Sequence, residues 1–436
     1  MRLGEPVQVK LRTLTPVFVG SGEEVGPLCY VVRGQDVLIL DQDKFLKSLS
    51  GTQMEEYLHW IEESLSPQQR RLRLYLSDFL HSRLRVDPIQ FVKERQCIAY
   101  SVKCNHNMSF RGFKAHIKTI DYQPYIPGSE LKGAIRTSLL YTLMKGDQVG
   151  QFLDELRKVK AVHEELIALE EAKTESGRSL EIQRKKVGVQ KRKLKNILRK
   201  RVSSKIEGML RGYKNDAKYD IFRMIFISDS QPLTVENLQI ELSQAEKASD
   251  IRRTSTYIET ITIDSETMFT MALVEKADLA LRELSLRELK DWLSLDRLLE
   301  ACYERSKDIL EEEGRYFKDQ GAILDQISRL KEENEPSSPL LRLGWGQGFL
   351  STTVDLRVKQ ADPELYEEGI REPISRLRNW RTRKDNFPKT RRVIVDRKDR
   401  PVSLLGWVKL IPNPEERNEE LMARKLEELK ARFGRR

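Results

Sequence analysis

The sequence has few cysteines and no long apolar run. Its four cysteines, Cys29, Cys97, Cys104 and Cys302, are scattered through 436 residues. Such sparse thiols are typical of proteins that keep them reduced, so we predict no disulfide. No run of about 18 apolar residues occurs, and none follows the first basic residue, which predicts neither membrane insertion nor secretion. We therefore expect a cytoplasmic protein.

Motifs that signal a catalytic centre are also missing. The chain has only five histidines, and it contains neither a HExxH motif nor a Gly-x-Ser-x-Gly elbow. Cys97, Cys104 and His106 lack the CxxC spacing of a zinc site. We therefore predict no catalytic residues, no metal and no cofactor.

What the sequence does contain is charge, with an excess of basic residues. Lys and Arg number 77 against 67 Asp and Glu, a formal net charge of +10, and the pI is about 9.2. This balance suits a polyanionic partner. Charged residues make up 33% of the chain, which indicates long exposed helices or elaborate surfaces on about two or three domains.

Several segments carry the signature of β-strands. Apolar and polar residues alternate over residues 7–14, which predicts a strand with one buried face. The runs 28–32 and 37–40 predict a hairpin, and 256–263 and 267–274 predict another because only three residues separate them. Further strands are predicted at 97–103, 116–120, 220–227, 233–242, 392–395 and 405–411.

Other segments repeat apolar residues every three or four positions, which predicts helices at about 43–85, 130–144, 148–215 and 285–333. The fold class is therefore α+β. We predict an N-terminal module at 1–147 with a helical insertion at about 43–95, a helical hairpin at 148–215, and a related module at 216–436 with its own insertion at about 285–333.

Residues 127–136 (Pro-Gly-Ser-Glu-Leu-Lys-Gly-Ala-Ile-Arg) form the first candidate site. Ser129 is a good N-cap residue, so free N–H groups of the first turn, with Lys132 and Arg136, can hold a phosphate. The order of Lys132 and Gly133 excludes a Walker A motif. A second interpretation stays open, in which the capped helix packs tightly against a strand through Gly133.

Two glycine-rich segments are further candidates. Gly20-Ser21-Gly22 resembles a nucleotide loop, but the next glycine is one residue late and Pro27 follows, so a loop that lets RNA approach closely fits better.

The second segment, residues 344–349, combines three glycines with two aromatic rings. Gly344, Gly346 and Gly348 would let the backbone approach a ligand while Trp345 stacks on a base. The alternative is a tight turn around a buried Trp345, which is the commoner use of such a segment.

Two basic stretches complete the candidates. Residues 182–205 hold eleven Lys or Arg and no acidic residue, which fits either an RNA-facing helix or the solvated side of a hairpin. Residues 371–400 hold twelve basic and four acidic residues with Trp380 and Phe387 between them, a pattern that favours single-strand binding. The predicted RNA contacts in the two stretches are Lys191, Arg192, Lys195, Arg381, Arg383, Arg391 and Arg392.

Five segments together resemble the RAMP proteins of CRISPR systems and, within them, the family of fifth subunits of type III-A (Csm) complexes. The most specific is residues 125–137, which contain Pro-Gly-Ser-Glu-Leu-Lys-Gly; several RAMP subunits share this stretch. The others are residues 15–22 (Thr-Pro-Val-Phe-Val-Gly-Ser-Gly), 222–230, 343–349 and 404–408.

The resemblance implies ferredoxin-like (RRM-like) antiparallel sheets with large helical insertions. It also implies a non-catalytic subunit at the head of the complex, beside the backbone RAMP subunit, that binds the 3′ part of the guide RNA and is needed for its maturation in antiviral defence. By this resemblance Ser129, Lys132, Gly133 and Arg136 contact the RNA backbone, and residues 344–348 form the family's glycine-rich loop.

Two alternatives remain open from the sequence. The chain could be a RAMP-type endoribonuclease that uses His106 or His116 as a general base, or Asp121 or Asp264 as a metal ligand. It could instead be a protein–protein adaptor whose basic helix at 182–205 recruits a nuclease or a neighbouring subunit.

Overall fold

The computed structural model describes residues 6–65, 74–106, 112–172, 178–198, 203–212, 216–247, 254–274, 277–377 and 390–413. The strands in these ranges are β1 (Val7–Thr13), β2 (Gly20–Val25), β3 (Tyr30–Arg33), β4 (Asp36–Leu40), β5 (Ile98–Cys104), β6 (Phe113–His116), β7 (Ile225–Ile227), β8 (Leu238–Lys247), β9 (Ser255–Ile261), β10 (Glu266–Leu273), β11 (Leu340–Arg342), β12 (Thr390–Val395), β13 (Pro401–Ser403) and β14 (Trp407–Pro412).

The helices are α1 (Gln42–Ser48), α2 (Gly51–Leu65), α3 (Leu76–Ser82), α4 (Pro88–Glu94), α5 (Gly128–Leu143), α6 (Asp147–Glu171), α7 (Arg178–Asn196), α8 (Ser203–Arg211), α9 (Ala277–Glu283), α10 (Leu295–Tyr316), α11 (Gly321–Glu333), α12 (Phe349–Thr352), α13 (Asp355–Ala361), α14 (Pro363–Tyr366) and α15 (Glu372–Leu377). Within the part of the chain that the structure describes, none of these helices combines the length and apolar character that a bilayer-spanning segment needs.

The first sheet has the order β11-β14-β1-β10-β7, and all its pairs are antiparallel. The predicted strand at 7–14 is confirmed as β1, which lies in the centre. Val9, Leu11 and Thr13 point into the core while the residues between them are partly exposed, as the alternation requires. Apolar residues of α5, including Leu131, Ile135 and Leu139, pack in the same core.

The second sheet has the order β2-β6-β9-β8-β5-β4-β3, and β12 continues it by pairing with β8. The predicted β3–β4 hairpin is confirmed. Two short pairs in this sheet, β5 with β8 and β6 with β9, are parallel, and its other pairs are antiparallel, as expected. The α+β class is confirmed.

Both sheets take strands from both predicted modules. β1, from the predicted N-terminal module, lies between β10 and β14 of the C-terminal one. In the second sheet β5 pairs with β8 and β6 with β9 across the same boundary. The modules at 1–147 and 216–436 therefore share their sheets, and the division of the chain stays a prediction.

The predicted hairpin of 256–263 with 267–274 is wrong, because β9 lies in the second sheet and β10 in the first. The chain changes sheets at the turn between them. There Thr13 Oγ1 donates to Thr262 O at 2.6 Å and accepts from Ser265 N at 2.9 Å. A bridge between Val17 and Ile261 extends the contact. Pairing with a distant segment thus overrides the local hairpin signal.

Three further boundaries differ from prediction. The strand expected at 116–120 is β6, which ends at His116, and Ile120 is 93% exposed. The strand expected from residue 220 begins only at Ile225, because Asp220 Oδ1 accepts from Phe222 N and caps a 3₁₀ turn. The expected loop at 15–22 ends inside β2.

The helical insertion in the N-terminal module has its own core. Helices α1 to α4 enclose Phe45, Tyr57, Trp60 and Phe79, all buried and in aromatic contact. The predicted helices at 43–85 are therefore confirmed, with α4 added. The predicted helical hairpin at 148–215 is formed by α6 packed on α7, followed by α8.

Candidate nucleic-acid interface

Helix α5 begins at Gly128, two residues earlier than expected, and with a different cap. Pro127 occupies the N-cap position, and Ser129 lies exposed in the first turn, so the prediction of Ser129 as N-cap is wrong. Gly128 N donates to Asp229 Oδ1 at 2.7 Å. Among the described residues no hydrogen bond uses the Ser129 amide, so this donor at the positive end of the helix faces solvent.

The two glycines of this helix have different roles. A Cβ atom on Gly128 would lie 2.5 Å from Ile227 O, so Gly128 is where α5 packs tightly on β7. Gly133 is exposed, and nothing lies within 4 Å of where its Cβ would be. The alternative that Gly133 packs against a strand is therefore wrong. An exposed helical glycine costs about 0.5–1 kcal/mol relative to alanine, with no contact here to offset it.

The two basic side chains of the motif, Lys132 and Arg136, form hydrogen bonds with other residues of the chain. Lys132 Nζ donates to Ile225 O at 2.6 Å, and burial lowers the pKa of this lysine. Arg136 donates through Nε and Nη2 to Asp220 Oδ2 at 3.1 and 2.5 Å. These side chains fix α5 to the edge of the first sheet.

The glycine-rich loop at 344–348 joins α5 to the segment after β1. Gly344 N donates to Glu130 Oε1 at 2.7 Å, and Trp345 N donates to Phe18 O at 2.8 Å. A Cβ atom on Gly344 would lie 2.2 Å from Phe18 O. The φ angles of Gly344, Gly346 and Gly348 are 76°, 90° and 84°, in the region that favours glycine.

The remaining segments of the resemblance meet at the same place. Gly406 N donates to Pro16 O at 2.9 Å and Gly406 O accepts from Leu343 N at 2.7 Å. Ser230 Oγ accepts from Ile126 N at 2.9 Å. The structure thus brings together five segments that lie up to about 390 residues apart in sequence.

Trp345 is half-buried beside two cations. Arg392 Cζ lies 4.6 Å and Lys114 Nζ 5.3 Å from the centre of its ring, and the edge of Phe18 contacts it at 5.8 Å. A Cβ atom on Gly346 would lie 3.2 Å from Arg392 Cβ, so the loop passes close to this side chain. The predicted alternative of a buried Trp in a turn therefore holds only in part, because the ring borders the surface. We call Lys114, Ser129, Gly133, residues 344–348 and Arg392 the glycine-loop surface.

The first glycine segment lies on the neighbouring edge. Gly20, Ser21 and Gly22 are exposed on β2, which pairs with β6, the strand that carries Lys114. Ser21 Oγ donates to Ala115 O at 3.3 Å, and Gly22 has a φ angle of 91° with open space around it.

Arg391 and Arg392 occupy opposite faces of β12. Arg391, predicted to contact RNA, is instead buried, and its Nε donates to Glu313 Oε1 at 2.7 Å. Glu313 Oε2 lies 3.6 Å from Nη1 of the fully buried Arg342. Because neighbours on a strand alternate in direction, only one of the two arginines can face a ligand. The predicted contacts Arg381 and Arg383 lie outside the described residues.

The basic helix α7 packs on α6 and is partly neutralised by it. Lys191 Nζ lies 2.8 Å from Glu170 Oε1, and Lys193 Nζ lies 3.6 Å from Glu165 Oε2. Leu194 is buried, whereas Arg192 and Lys195 are exposed. The helix therefore forms one side of a hairpin with a cationic outer face, and contact of this face with RNA stays a prediction.

His116 has no capacity left for catalysis. Its Nδ1 accepts from Val19 N at 3.3 Å, so its Nε2 donates to Tyr125 O at 3.2 Å. Burial lowers its pKa to about 3, and both ring nitrogens are occupied. In the ranges that the structure describes, no group of three His, Cys, Asp or Glu side chains is placed to hold a metal ion.

Lys114 and Glu130 were not identified from the sequence. Each is a single charged residue in a mixed segment, and Lys114 reaches Trp345 across more than 200 residues of chain. No local spacing signals such a contact.

Comparison with known proteins gives relatives along nearly the whole chain. A family model described as the RAMP superfamily matches residues 10–421. A protein from Methanocaldococcus jannaschii named CRISPR system Cms protein Csm5 is 25% identical over 425 residues, which are 93% of this chain and 89% of that protein. A protein of the same name from Streptococcus thermophilus is 27% identical over 147 residues, 32% of this chain and 39% of that protein.

Solved structures agree with this in fold. One chain of a cryo-EM structure of a Csm-crRNA-target RNA ternary complex from a type III-A CRISPR-Cas system has a TM-score of 0.66 at 21% identity, covering 93% of this chain and 100% of that one. The crystal structure of T. onnurineus Csm5 has a TM-score of 0.59 at 20% identity, covering 92% and 99%. Because the family model spans most of the sequence, the chain belongs to the RAMP superfamily.

Proposed function

We propose that this chain is an RNA-binding, non-catalytic RAMP subunit of a type III-A (Csm) CRISPR effector complex in the cytoplasm. In this proposal it caps the filament of backbone subunits at the 3′ end of the guide RNA and is needed for maturation of that RNA in antiviral defence. Its partners are the guide RNA and other Csm subunits, above all the backbone RAMP subunit, with a recruited nuclease as a further candidate. Support comes from the similarity to Csm5 over 93% of the chain.

One observation carries the RNA-binding part of the proposal: Gly133 is exposed about one helical turn after Glu130, which binds the glycine-rich loop. A helix without a side chain at this position lets a ribose-phosphate strand approach the backbone closely. The Ser129 amide at the helix start can donate to a phosphate. Lys114 and Arg392 supply charge, and Trp345 offers an aromatic surface for a base.

The proposed contacts follow from this surface. Lys132 and Arg136 act by positioning α5. Arg391 packs against the glycine-rich loop at Gly348. The residues proposed to contact RNA are Gly20, Ser21, Gly22, Lys114, Ser129, Gly133, Gly344, Trp345, Gly346, Gly348 and Arg392.

Gly133→Gln tests the close approach at α5. We expect the variant to be more stable by about 0.5–1 kcal/mol, because glutamine is a better helix former and nothing crowds the site. We expect guide RNA affinity to fall at least tenfold, because the new side chain occupies the space of the RNA backbone. Thermal unfolding and fluorescence anisotropy with labelled guide RNA measure the two effects.

Gly188→Gln is the matched control, because Gly188 is also helical and also has open space around its Cβ position. It should gain similar stability and keep its RNA affinity. Unchanged RNA binding by the Gly133 variant would place the RNA elsewhere.

The non-catalytic part of the proposal has its own test. The isolated chain, incubated in excess with labelled guide precursor, should leave the RNA intact with and without a divalent metal. Among the described residues His116 is fully hydrogen-bonded, and no metal cluster is present. Cutting by the lone chain, abolished by His106→Ala, would favour the endoribonuclease instead.

A further inference from the structure

A cavity lies next to the segment after β1, which also contacts the glycine-loop surface. It has a volume of about 490 Å³ and opens between β8, the β12–β13 turn and α11. Pro16, Ile263, Ile394, Val395 and Val402 form an apolar wall, and the rest of the lining is polar or charged. Ile263 and Val402 are 47% and 43% exposed, so the mouth of the cavity presents apolar surface to solvent.

Two carboxylates line the cavity, that of Asp396 in the β12–β13 turn and that of Glu241 on β8. Glu241 is the more deeply buried of the two. Its side chain is only 15% exposed, and the ring of His106, whose pKa is lowered by burial, lies near it, with Nε2 3.9 Å from Glu241 Oε2. At that distance the two groups do not form a hydrogen bond. In the part of the chain that is described, no other group donates to this carboxylate, so both oxygens are available to a ligand.

The remaining charged groups at the cavity have partners or face solvent. Asp396 accepts from Lys398 N at 2.8 Å and from Arg400 Nε at 2.8 Å, so its carboxylate is already hydrogen-bonded within the turn. Arg397, bonded through Nε to Asn105 O, and Arg329 are exposed at the rim. The cavity thus combines a buried acceptor, Glu241, with one apolar wall and two exposed arginines.

This arrangement selects a ligand by its chemistry. The ligand needs a flat apolar body for the walls, adjacent N–H donors for one carboxylate, and a negative group for the arginines. Guanine offers N1–H and N2–H side by side. Adenine and cytosine place a ring acceptor next to their single donor group, and uracil places carbonyl oxygens on both sides of its donor. From these features we propose that the cavity is a guanine nucleotide site in which Glu241 accepts two hydrogen bonds from the base.

The site is a neighbour of the glycine-loop surface. Pro16 lines the cavity, and Phe18, two residues later, contacts Trp345. Ile394 lies between the two places, since it lines the cavity and packs in the cluster of Phe18 and Trp345. The guanine site does not depend on the proposed function, because its test uses free mononucleotides and no guide RNA.

Titration of the full-length chain with GMP, AMP, CMP and UMP at pH 8, followed by calorimetry, tests the site. We expect GMP to bind at least tenfold more tightly than the other three, because a carboxylate left without donors in a dry site is costly. Glu241→Gln should lower GMP affinity at least tenfold, since the amide offers only one acceptor oxygen. Glu236→Gln, a change at an exposed acid just before β8, is the matched control and should have no effect.

The pH dependence gives a second readout. Burial raises the pKa of Glu241 to about 7, and guanine binds the ionised form, so affinity should fall about tenfold from pH 8 to pH 6. Glu241→Gln should remove this dependence. The ionisable groups around Glu241 do not mimic it: burial lowers the pKa of His106 and raises the pKa of Cys104 to about 11, and hydrogen bonds from Arg400 and Lys398 lower the pKa of Asp396 to about 2. The remaining charged side chains there are Arg329, Arg397 and Asp399.

If Glu241→Gln folds poorly, a second variant that blocks the mouth of the cavity still tests the proposal. Val402→Trp adds bulk at an exposed position and should block GMP while leaving guide RNA affinity unchanged. Equal affinity for the four nucleotides, absence of GMP binding to the wild-type chain, or an unaffected Glu241→Gln variant would each overturn the guanine site. None of these results bears on the Gly133 variants, so the two proposals fail separately.

Discussion

Glu313→Gln should destabilise the folded chain by about 3–5 kcal/mol, because it removes the only negative charge between two buried arginines in the described structure. Glu313, Arg342 and Arg391 are each no more than 3% exposed. Arg391 Nε donates to Glu313 Oε1 at 2.7 Å, and Arg342 Nη1 lies 3.6 Å from Oε2. Burial already lowers the pKa of Arg342 in spite of this carboxylate. Without it two guanidinium groups remain charged in the core.

Urea unfolding followed by circular dichroism measures this loss. Glu300→Gln is the control, because Glu300 lies on the same helix, α10, and pairs with Arg297 in an exposed ion pair. Exposed pairs contribute about 0–1 kcal/mol, so the control should unfold close to the wild type. If Glu313→Gln and Glu300→Gln lowered the free energy of unfolding equally, the buried charges would contribute no more to stability than an exposed ion pair.

The same network supports the glycine-loop surface. Arg342 Nε donates to Leu405 O at 3.1 Å and its Nη1 to Ser351 Oγ at 3.0 Å. A Cβ atom on Gly348 would lie 3.7 Å from Arg391 Cδ. The buried charges therefore hold both ends of the loop that carries Trp345, and Glu313→Gln should also weaken RNA binding although it lies far from the surface.

Local patterns predicted the elements but not their partners. Alternation gave β1, and three- to four-residue spacing gave α5, α10 and α11, because both signals depend on neighbours along the chain. The false hairpin of β9 with β10 shows the limit. Two strand signals with a short gap favour pairing, yet Thr13 and Val17, some 250 residues earlier, bind the turn and separate the strands.

The sequence predicted which segments form the candidate site, but it did not predict the contacts between them. The five segments of the resemblance do converge, but the bonds that join them, such as Gly344 N to Glu130 Oε1, connect residues 214 positions apart. Charge runs were weaker guides. The run at 371–400 contains both the buried Arg391 and the surface Arg392, and only strand alternation separates them. Glu241 carried no signal at all, because its proposed role depends on a cavity whose lining residues lie between positions 16 and 403 of the chain.

Removing Trp345, Lys114 and Arg392 from the glycine-loop surface should have the largest effect on RNA binding. Loss of one stacking ring in Trp345→Ala costs about 1–3 kcal/mol of binding free energy. Each phosphate-binding cation lost from a single-strand site lowers the slope of log K against log salt by about 0.7. The double variant Lys114→Gln with Arg392→Gln should therefore reduce the slope by about 1.4, which is roughly 25-fold in affinity at 0.1 M salt.

The control for this measurement is a second double variant, Arg192→Gln with Lys195→Gln. It removes the same amount of charge from the exposed face of α7. If RNA follows the glycine-loop surface, the α7 variant keeps the wild-type slope of log K against log salt. Any binding that this variant loses is then binding to a protein partner. If the slope falls in the α7 variant and stays at the wild-type value in the Lys114 and Arg392 variant, RNA binds along the basic helix. The glycine-rich loop would then serve only to join the two sheets.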